Sequence, residues 1–265
     1  LRVALAITTY ERPDALAAVV SSVARQSAPP AEVVIADDGS GEATRFVIEG
    51  FTRSSFVPVR TVSQPHAGFR VARLRNLAIA ATNAEYIVFV DGDMLLHPEF
   101  IADHVRAARR GFFTQGIRAN ADAALTRRLL DDPSTPVGPA TPGLGALRRS
   151  YLLHASALSP LMRRLGNALI SVKSCNQGFW RRDLMRVNGF NEAFEGWGPE
   201  DKELCIRLTH AGVRRQTLLF GGIAVHLHHP PAARDGVAAN LAILDATRRE
   251  RKIRCERGLD SHLLS

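Results

Sequence analysis

The sequence predicts an α/β fold: a mostly parallel central sheet flanked by helices. Two observations predict it. Through Asp93, short apolar runs alternate with segments of helical period, and three of those runs end in polar clusters, Thr8–Glu11, Asp37–Ser40 and Asp91–Asp93. Apolar runs bounded by turn signals read as strands buried on both faces, the pattern of a parallel sheet.

The elements follow in order. Val3–Ile7 reads as the first strand and is too short for a secretory signal. Pro13 suits the first turn of a helix, whose stripe is Leu16, Val19, Val20 and Val23 and which Pro29-Pro30 stops. Glu32–Ala36 is a second strand and Glu42–Gly50 a second helix. Val57–Val62 is a third strand, Pro65–Gly68 a loop, and Leu74, Leu77, Ala78 and Ala81 mark a third helix. Tyr86–Val90 is a fourth strand. Strands alternating with helices imply a parallel sheet. Such sheets bind ligands at the carboxyl ends of their strands, near a switch in strand order.

The middle of the chain is different. Asn120–Ser171 is rich in Pro and Gly and reads as a flexible lid or binding loop. Order resumes near Lys173. Asp201–His210 reads as a helix with Gly212 after its end, then Thr217–Phe220 and Ile223–Leu227 as short strands. From Asp235 a helical tail leads into the basic stretch Arg248–Arg254.

Composition bounds the function. The 265 residues are 46% hydrophobic and 23% charged, as in an ordinary globular chain. A formal charge of +8 favours anionic partners: nucleic acid, anionic lipid or phosphorylated substrates. Aromatic residues are only 6% and are not interleaved with the basic runs, which argues against a nucleic-acid-binding protein. Cys175, Cys205 and Cys255 lie far apart with no C-x-x-C pair, which argues against a disulfide framework or zinc knuckle and fits a reducing compartment. No apolar run is long enough to span a membrane.

Three constellations carry chemistry. Asp91-Gly92-Asp93 places two carboxylates after a strand, where they read either as a turn or as oxygen ligands for a divalent cation. Glu200 and Asp201 follow the Gly-rich loop Gly196-Trp197-Gly198-Pro199 at a helix amino end, as a base or as helix-capping acids. His226 and His228 share a strand face and suit a transition metal, while His229 reads as a surface histidine. In addition, Gly68-Phe69-Arg70, Arg73, Arg75 and Asn76 open a helix, a place that favours phosphate or is simply a solvated basic face.

Taken in order, Thr8-Thr9-Tyr10, Asp37-Asp38-Gly39-Ser40, Gly68-Phe69-Arg70 with Arg75-Asn76, Asp91-Gly92-Asp93, Trp197-Gly198-Pro199-Glu200-Asp201 and His226 resemble family 2 glycosyltransferases with the Rossmann-like A fold. The likeness covers roughly residues 3–230. It is nearest the chondroitin-polymerase type, and the carboxyl half looks like the carboxyl-terminal half of galactosyltransferases.

The resemblance implies an inverting glycosyltransferase. It would move a sugar from a nucleoside-diphosphate donor, a UDP-sugar first, to a hydroxyl of a glycan or lipid-linked acceptor, in bacterial surface polysaccharide synthesis. Thr8, Tyr10, Asp38, Arg75, Asn76 and Asp91 are expected to bind the nucleotide, and Asp93, His226 and Asp91 a divalent metal, Mn2+ before Mg2+, with His228 the second choice of histidine. Asp201 and Glu200 are expected to be the catalytic acids, with Asp201 the base. Glu200, Trp197 and Gly198 are expected to hold acceptor or sugar. Pro199 stands where the related motif often has a second glycine.

The expected organisation is a transferase domain over 1–230, with a nucleotide-binding half at 1–93 and an acceptor half at 94–230 that contains the flexible 120–171 segment. A basic helical tail covers 231–265. The chain is expected to be cytoplasmic and peripheral on the inner face of an anionic membrane. A sugar nucleotidyltransferase is the rival enzyme. It needs a Gly-rich basic loop after the first strand, where this chain has Thr8–Pro13 without glycine.

Overall fold

The protein is described by a computed structural model over residues 1–145, 149–155, 158, 172–230 and 236–263. The apolar runs form β1 (Val3–Thr9), β2 (Glu32–Asp37), β3 (Val59–Ser63) and β4 (Tyr86–Asp91), and every residue of β1 and β2 is buried. Between them lie α1 (Pro13–Ala24), α2 (Glu42–Ser54) and α3 (Val71–Ala80). Pro13 begins α1, where the missing N–H costs no helical hydrogen bond.

Six further strands complete two sheets: β5 (Met94–Leu96), β6 (Phe112–Gln115), β7 (Ile117–Asn120), β8 (Asn176–Trp180), β9 (Arg214–Thr217) and β10 (Ile223–His226). The main sheet has seven strands in the order β3-β2-β1-β4-β8-β6-β9. Its pairs are parallel except where β8 runs antiparallel to β4 and β6. The chain leaves β1 for β2 and β3 on one side and returns to β4 on the other, so β1 marks the switch in order. Register places Thr8 beside Asp91 and Thr9 beside Asp37, which gathers the polar strand ends. A three-stranded sheet, β5-β10-β7, stands beside it and pairs His226 with Met94, one residue after Asp93.

The remaining helices are α4 (Phe100–Ala107), α5 (Ala123–Asp131), α6 (Arg181–Val187), α7 (Glu200–His210) and α8 (Val237–Arg249). One apolar cluster joins α1 to the sheet, and another joins α3, α6 and α7 to its opposite face.

Two expectations differ from the structure. The strand expected at Thr217–Phe220 lies at Arg214–Thr217, where it pairs with Phe112–Gln115. Leu219 is apolar because it anchors the following turn in a third core cluster, against which Phe220 packs with a φ of 60°. The segment expected to be flexible opens with α5, whose first turn is capped by Asp122 Oδ1 accepting from Leu125 N at 2.8 Å. Ala121 bridges Leu144 behind it. Residues 146–148, 156–157 and 159–171 of that expected lid lie outside the described residues.

In the basic tail, Arg248 lies 3.3 Å from Asp245, Arg249 and Lys252 lie 3.0 and 3.2 Å from Glu250, and Arg254 lies 2.9 Å from Asp260. The tail therefore offsets much of its own charge. No described helix is long and apolar enough to cross a membrane.

Candidate active site

The carboxyl ends of β1, β2 and β4 and the amino end of α7 converge on one site. Gly92 permits the convergence. A Cβ on it would stand 2.9 Å from Thr9 Oγ1 and 3.1 Å from the Thr8 carbonyl, so only glycine lets the turn after β4 lie on β1. Gly92 N donates to that carbonyl at 2.7 Å. Asp91 and Asp93 leave this turn toward different partners.

Asp93 faces two histidines and one arginine. Its Oδ2 lies 3.4 Å from His226 Nε2, 3.2 Å from His229 Nε2 and 3.9 Å from Arg12 Nη1. Burial opposes ionisation of Asp93, but the His229 hydrogen bond and the neighbouring His229 and Arg12 hold its carboxyl below the usual range. Burial pushes His226 down to about 4, which leaves it a neutral imidazole.

Ligand atoms of Asp93, His226 and His229 all lie within 4.8 Å of one another. Asp93 Oδ1 is buried without a hydrogen-bond partner. A carboxylate with two imidazoles and one orphaned oxygen fits a divalent metal. The nitrogen donors suit Mn2+ better than Mg2+, which prefers oxygen and water.

The geometry departs from two expectations. β10 ends at His226 and the chain then turns, with Leu227 N donating to the Asp93 carbonyl at 2.9 Å. Strand alternation does not continue, so His229 swings back to Asp93. His228 is exposed and gives its backbone N–H to Thr126 Oγ1 at 2.8 Å. Asp91 also stands apart from the cluster: its Oδ1 accepts from Thr8 Oγ1 at 3.0 Å and from Arg75 Nη2 at 3.1 Å.

Arg75 is the hinge of the site. Its guanidinium, 3% exposed, donates to Asp91 and, at 2.8 Å, to Glu200 Oε1. Burial raises Glu200 to about 7 and the neighbouring Asp201 pushes the same way, while Arg75 opposes them. Burial also raises Asp201, although the Ser174 and Lys202 backbone N–H groups donate to it at 3.0 and 2.6 Å. Two adjacent acids at a helix amino end, Glu200 buried and Asp201 half-buried, both with raised pKa, are arranged for proton transfer.

A further cluster, where the nucleotide is expected, is built on the end of β2. Asp38 accepts from Gln64 Nε2, and its Oδ2 lies 2.9 Å from His66 Nδ1. Tyr10, 43% exposed, stacks on the His66 ring with centroids 4.1 Å apart. His66 and Arg12 belong to this site although no role was read for either in the sequence. Their signals were a histidine after the third strand and an arginine just before the helix proline.

Two expected residues have other duties. Asn76 is fully buried. Its Nδ2 donates to the Phe190 carbonyl and to Glu192 Oε1, both at 2.8 Å, and its Oδ1 accepts from Phe190 N at 2.8 Å. With both amide ends engaged, it holds the 190–192 segment. Gly198 lies against Asn240, where a Cβ would stand 2.6 Å from Nδ2, so its place is fixed by packing. Trp197 remains 41% exposed at the mouth.

Residues 4–177 match the family model described as Glycosyl transferase family 2, and residues 167–230 match one described as the N-terminal domain of galactosyltransferase. Validoxylamine A glucosyltransferase of Streptomyces hygroscopicus subsp. limoneus is 30% identical over 224 residues, covering 78% of this chain and 48% of that protein. Hyaluronan synthase of Pasteurella multocida is 25% identical over 239 residues, covering 85% of this chain and 24% of that protein. The chain thus spans about half or less of the length of these relatives.

Among solved structures, S. aureus TarS 1-349 in complex with UDP superposes with a TM-score of 0.67 at 14% identity, over 99% of this chain and 68% of that one. A Pyrobaculum calidifontis mannosyltransferase in complex with GDP-Man and Mn2+ gives 0.59 at 17% identity, over 94% of this chain and 64% of that one. At such identities the likeness establishes the fold.

Proposed function

The chain belongs to glycosyl transferase family 2, and on that premise we propose that it is a metal-dependent, inverting transferase. It moves a sugar from a nucleoside-diphosphate donor, a UDP-sugar first, to a hydroxyl of a glycan or lipid-linked acceptor. One observation carries this reading: Arg75 links Asp91, beside the Asp93–His226–His229 cluster, to Glu200, beside Asp201. A leaving-group site and a base are thereby held in one rigid frame.

Asp93, His226 and His229 would hold the metal. When bound, it supplies Lewis-acid charge at the donor diphosphate. Arg12, 3.9 Å from Asp93, adds a second positive charge at the same place. Tyr10, His66 and Asp38 receive the base of the nucleotide. Asp201 takes the proton from the acceptor hydroxyl as its oxygen bonds to the anomeric carbon and the bond from that carbon to the diphosphate breaks. A single displacement of this kind inverts the carbon. Glu200 shares buried charge with Arg75 and sets the electrostatics beside the base. Trp197 offers a flat apolar face to the acceptor sugar.

Relatives named as hyaluronan and chondroitin synthases support a role in building a polysaccharide. The net charge of +8 supports work beside anionic partners, including the inner face of a membrane. The test is a thermal-shift screen of nucleoside diphosphates with and without Mn2+. Stabilisation by UDP that requires the metal supports the reading. Absence of any nucleotide response with Mn2+ present refutes it.

A further inference from the structure

The two matched family regions end at residue 230, yet the chain beyond them reaches the candidate site. Three side chains make the connection. Asn240, on α8 and 1% exposed, donates from Nδ2 to the Glu195 carbonyl at 2.9 Å and to the Trp197 carbonyl at 3.0 Å. Thr247 on the same helix donates to Glu203 Oε1 on α7 at 3.0 Å. His262 Nε2 lies 2.6 Å from Glu192 Oε1, the oxygen that also accepts from Asn76.

The first of these contacts has the tightest geometry. Gly198 lies so close that a Cβ would reach Asn240 Nδ2 at 2.6 Å. Gly236, at the start of α8, takes a φ of 78°, and a Cβ there would stand 2.7 Å from the Glu195 carbonyl. Glycines on both sides thus let α8 and the 195–198 loop come close, Gly198 against the Asn240 side chain and Gly236 against the Glu195 carbonyl. From the other side, Gly196 N donates to the Phe69 carbonyl at 2.9 Å. The loop that presents Trp197 is pinned between the α3 entry and α8.

A side-chain amide of this length fits the two carbonyls. One NH2 group donates to two carbonyls at once, which uses both of its hydrogens. A carboxylate there would face both carbonyls with acceptors alone. The base is tied to the same frame. Glu203, on the helix that starts with Glu200 and Asp201, accepts from Arg207 Nε at 2.8 Å, and Arg207 is fully buried.

We propose that the segment 237–263 is an integral part of the acceptor side of the site, and that Asn240 is the positioning residue that fixes Trp197 relative to Asp201. The functional half rests on the transferase reading above. The structural half does not, so the two fail separately.

The test uses the full chain with Trp180→Phe, which leaves Trp197 as the one tryptophan, with and without Asn240→Asp. Loss of two buried hydrogen bonds predicts that acrylamide quenching of Trp197 rises at least about twofold and that the acceptor KM rises about tenfold. Affinity for UDP with Mn2+ and kcat should stay within about twofold, because the nucleotide side is untouched. Unchanged quenching overturns the structural half. Raised quenching with an unchanged acceptor KM overturns the positioning role. A change confined to nucleotide affinity overturns both. If the Asp variant does not fold, Asn240→Ser, which keeps one donor, is read the same way and should fall between wild type and the expected Asp values.

Discussion

Arg75 and Glu200, 125 residues apart in sequence, meet at 2.8 Å with both side chains less than a tenth exposed. Because Arg75 also donates to Asp91 at 3.1 Å, one guanidinium ties the end of β4 to the start of α7. Removing it strands a buried carboxylate. Arg75→Met should therefore lower stability by about 3 kcal/mol, measured by urea denaturation, and abolish turnover. Adding Glu200→Gln should restore part of the stability but none of the activity. Additive losses in that cycle would show that the pair does not interact.

The pH dependence follows from the same acids. Burial raises Glu200 to about 7, above its usual 4.5. Between those values the folded protein binds the extra proton, so this contribution to stability is present below about 4.5 and is lost as pH rises through about 7. Wild type should lose melting temperature across that window relative to Glu200→Gln. Activity runs the other way, since Asp201 must be ionised to act and its pKa is raised by burial. The rate should fall on acidification at a pH above the usual aspartate range. Melting curves for the two proteins that stay parallel would remove Glu200 as the source.

The metal cluster makes a residue-by-residue prediction. Asp93→Ala, His226→Ala and His229→Ala should each weaken Mn2+ binding about a hundredfold, read by the electron paramagnetic resonance of free Mn2+. His228→Ala should leave it unchanged, since His228 points to solvent. A loss with His228→Ala and none with His229→Ala would reverse the assignment.

The parallel half was legible because β1, β2 and β4 are apolar over nearly their whole length. The antiparallel strand β8 was not. It is fully buried, yet it begins with Asn176 and Gln177. These are paired inside the protein, Asn176 with the Ile117 and Gly222 carbonyls and Gln177 with Gln115, so a polar strand passes through the centre of the sheet. At the site, Asp93, His226, Glu200 and Asp201 were legible from their neighbours along the chain. His229 was not, because its placement depends on a turn after β10. The bonds of Asn76 to the 190–192 segment were not legible, because a polar residue beside an arginine looks the same in sequence whether it faces a ligand or a neighbouring segment.

Gly39 tests the nucleotide side. It takes a φ of 78°, and a Cβ there would stand 2.7 Å from His66 N and 2.8 Å from the Gln64 carbonyl. Both atoms are backbone, so they cannot swing away. Gly39→Ala should cost about 2 kcal/mol of stability and displace His66 from Asp38 and Tyr10. UDP affinity should fall more than Mn2+ affinity, since the metal cluster lies on other elements. Calorimetric titration of each ligand separates the two, and equal losses would mean that the whole site had collapsed.

Asp201 carries the strongest claim about chemistry. Its carboxylate is fixed by the Ser174 and Lys202 N–H groups, and an amide in its place keeps the shape while losing the ability to take a proton. Asp201→Asn should therefore leave UDP and Mn2+ affinity near wild type and reduce kcat by about a hundredfold to ten-thousandfold, the usual contribution of a general base. The fall should appear in kcat and kcat/KM alike, because the proton moves only in the transition state. Glu200→Gln gives the contrast. Glu200 faces Arg75 at 2.8 Å, so its loss should disturb both stability and rate. If Asp201→Asn turned over at the wild-type rate while Glu200→Gln did not, the base would be Glu200, and its raised pKa would then set the acid limb of the rate profile.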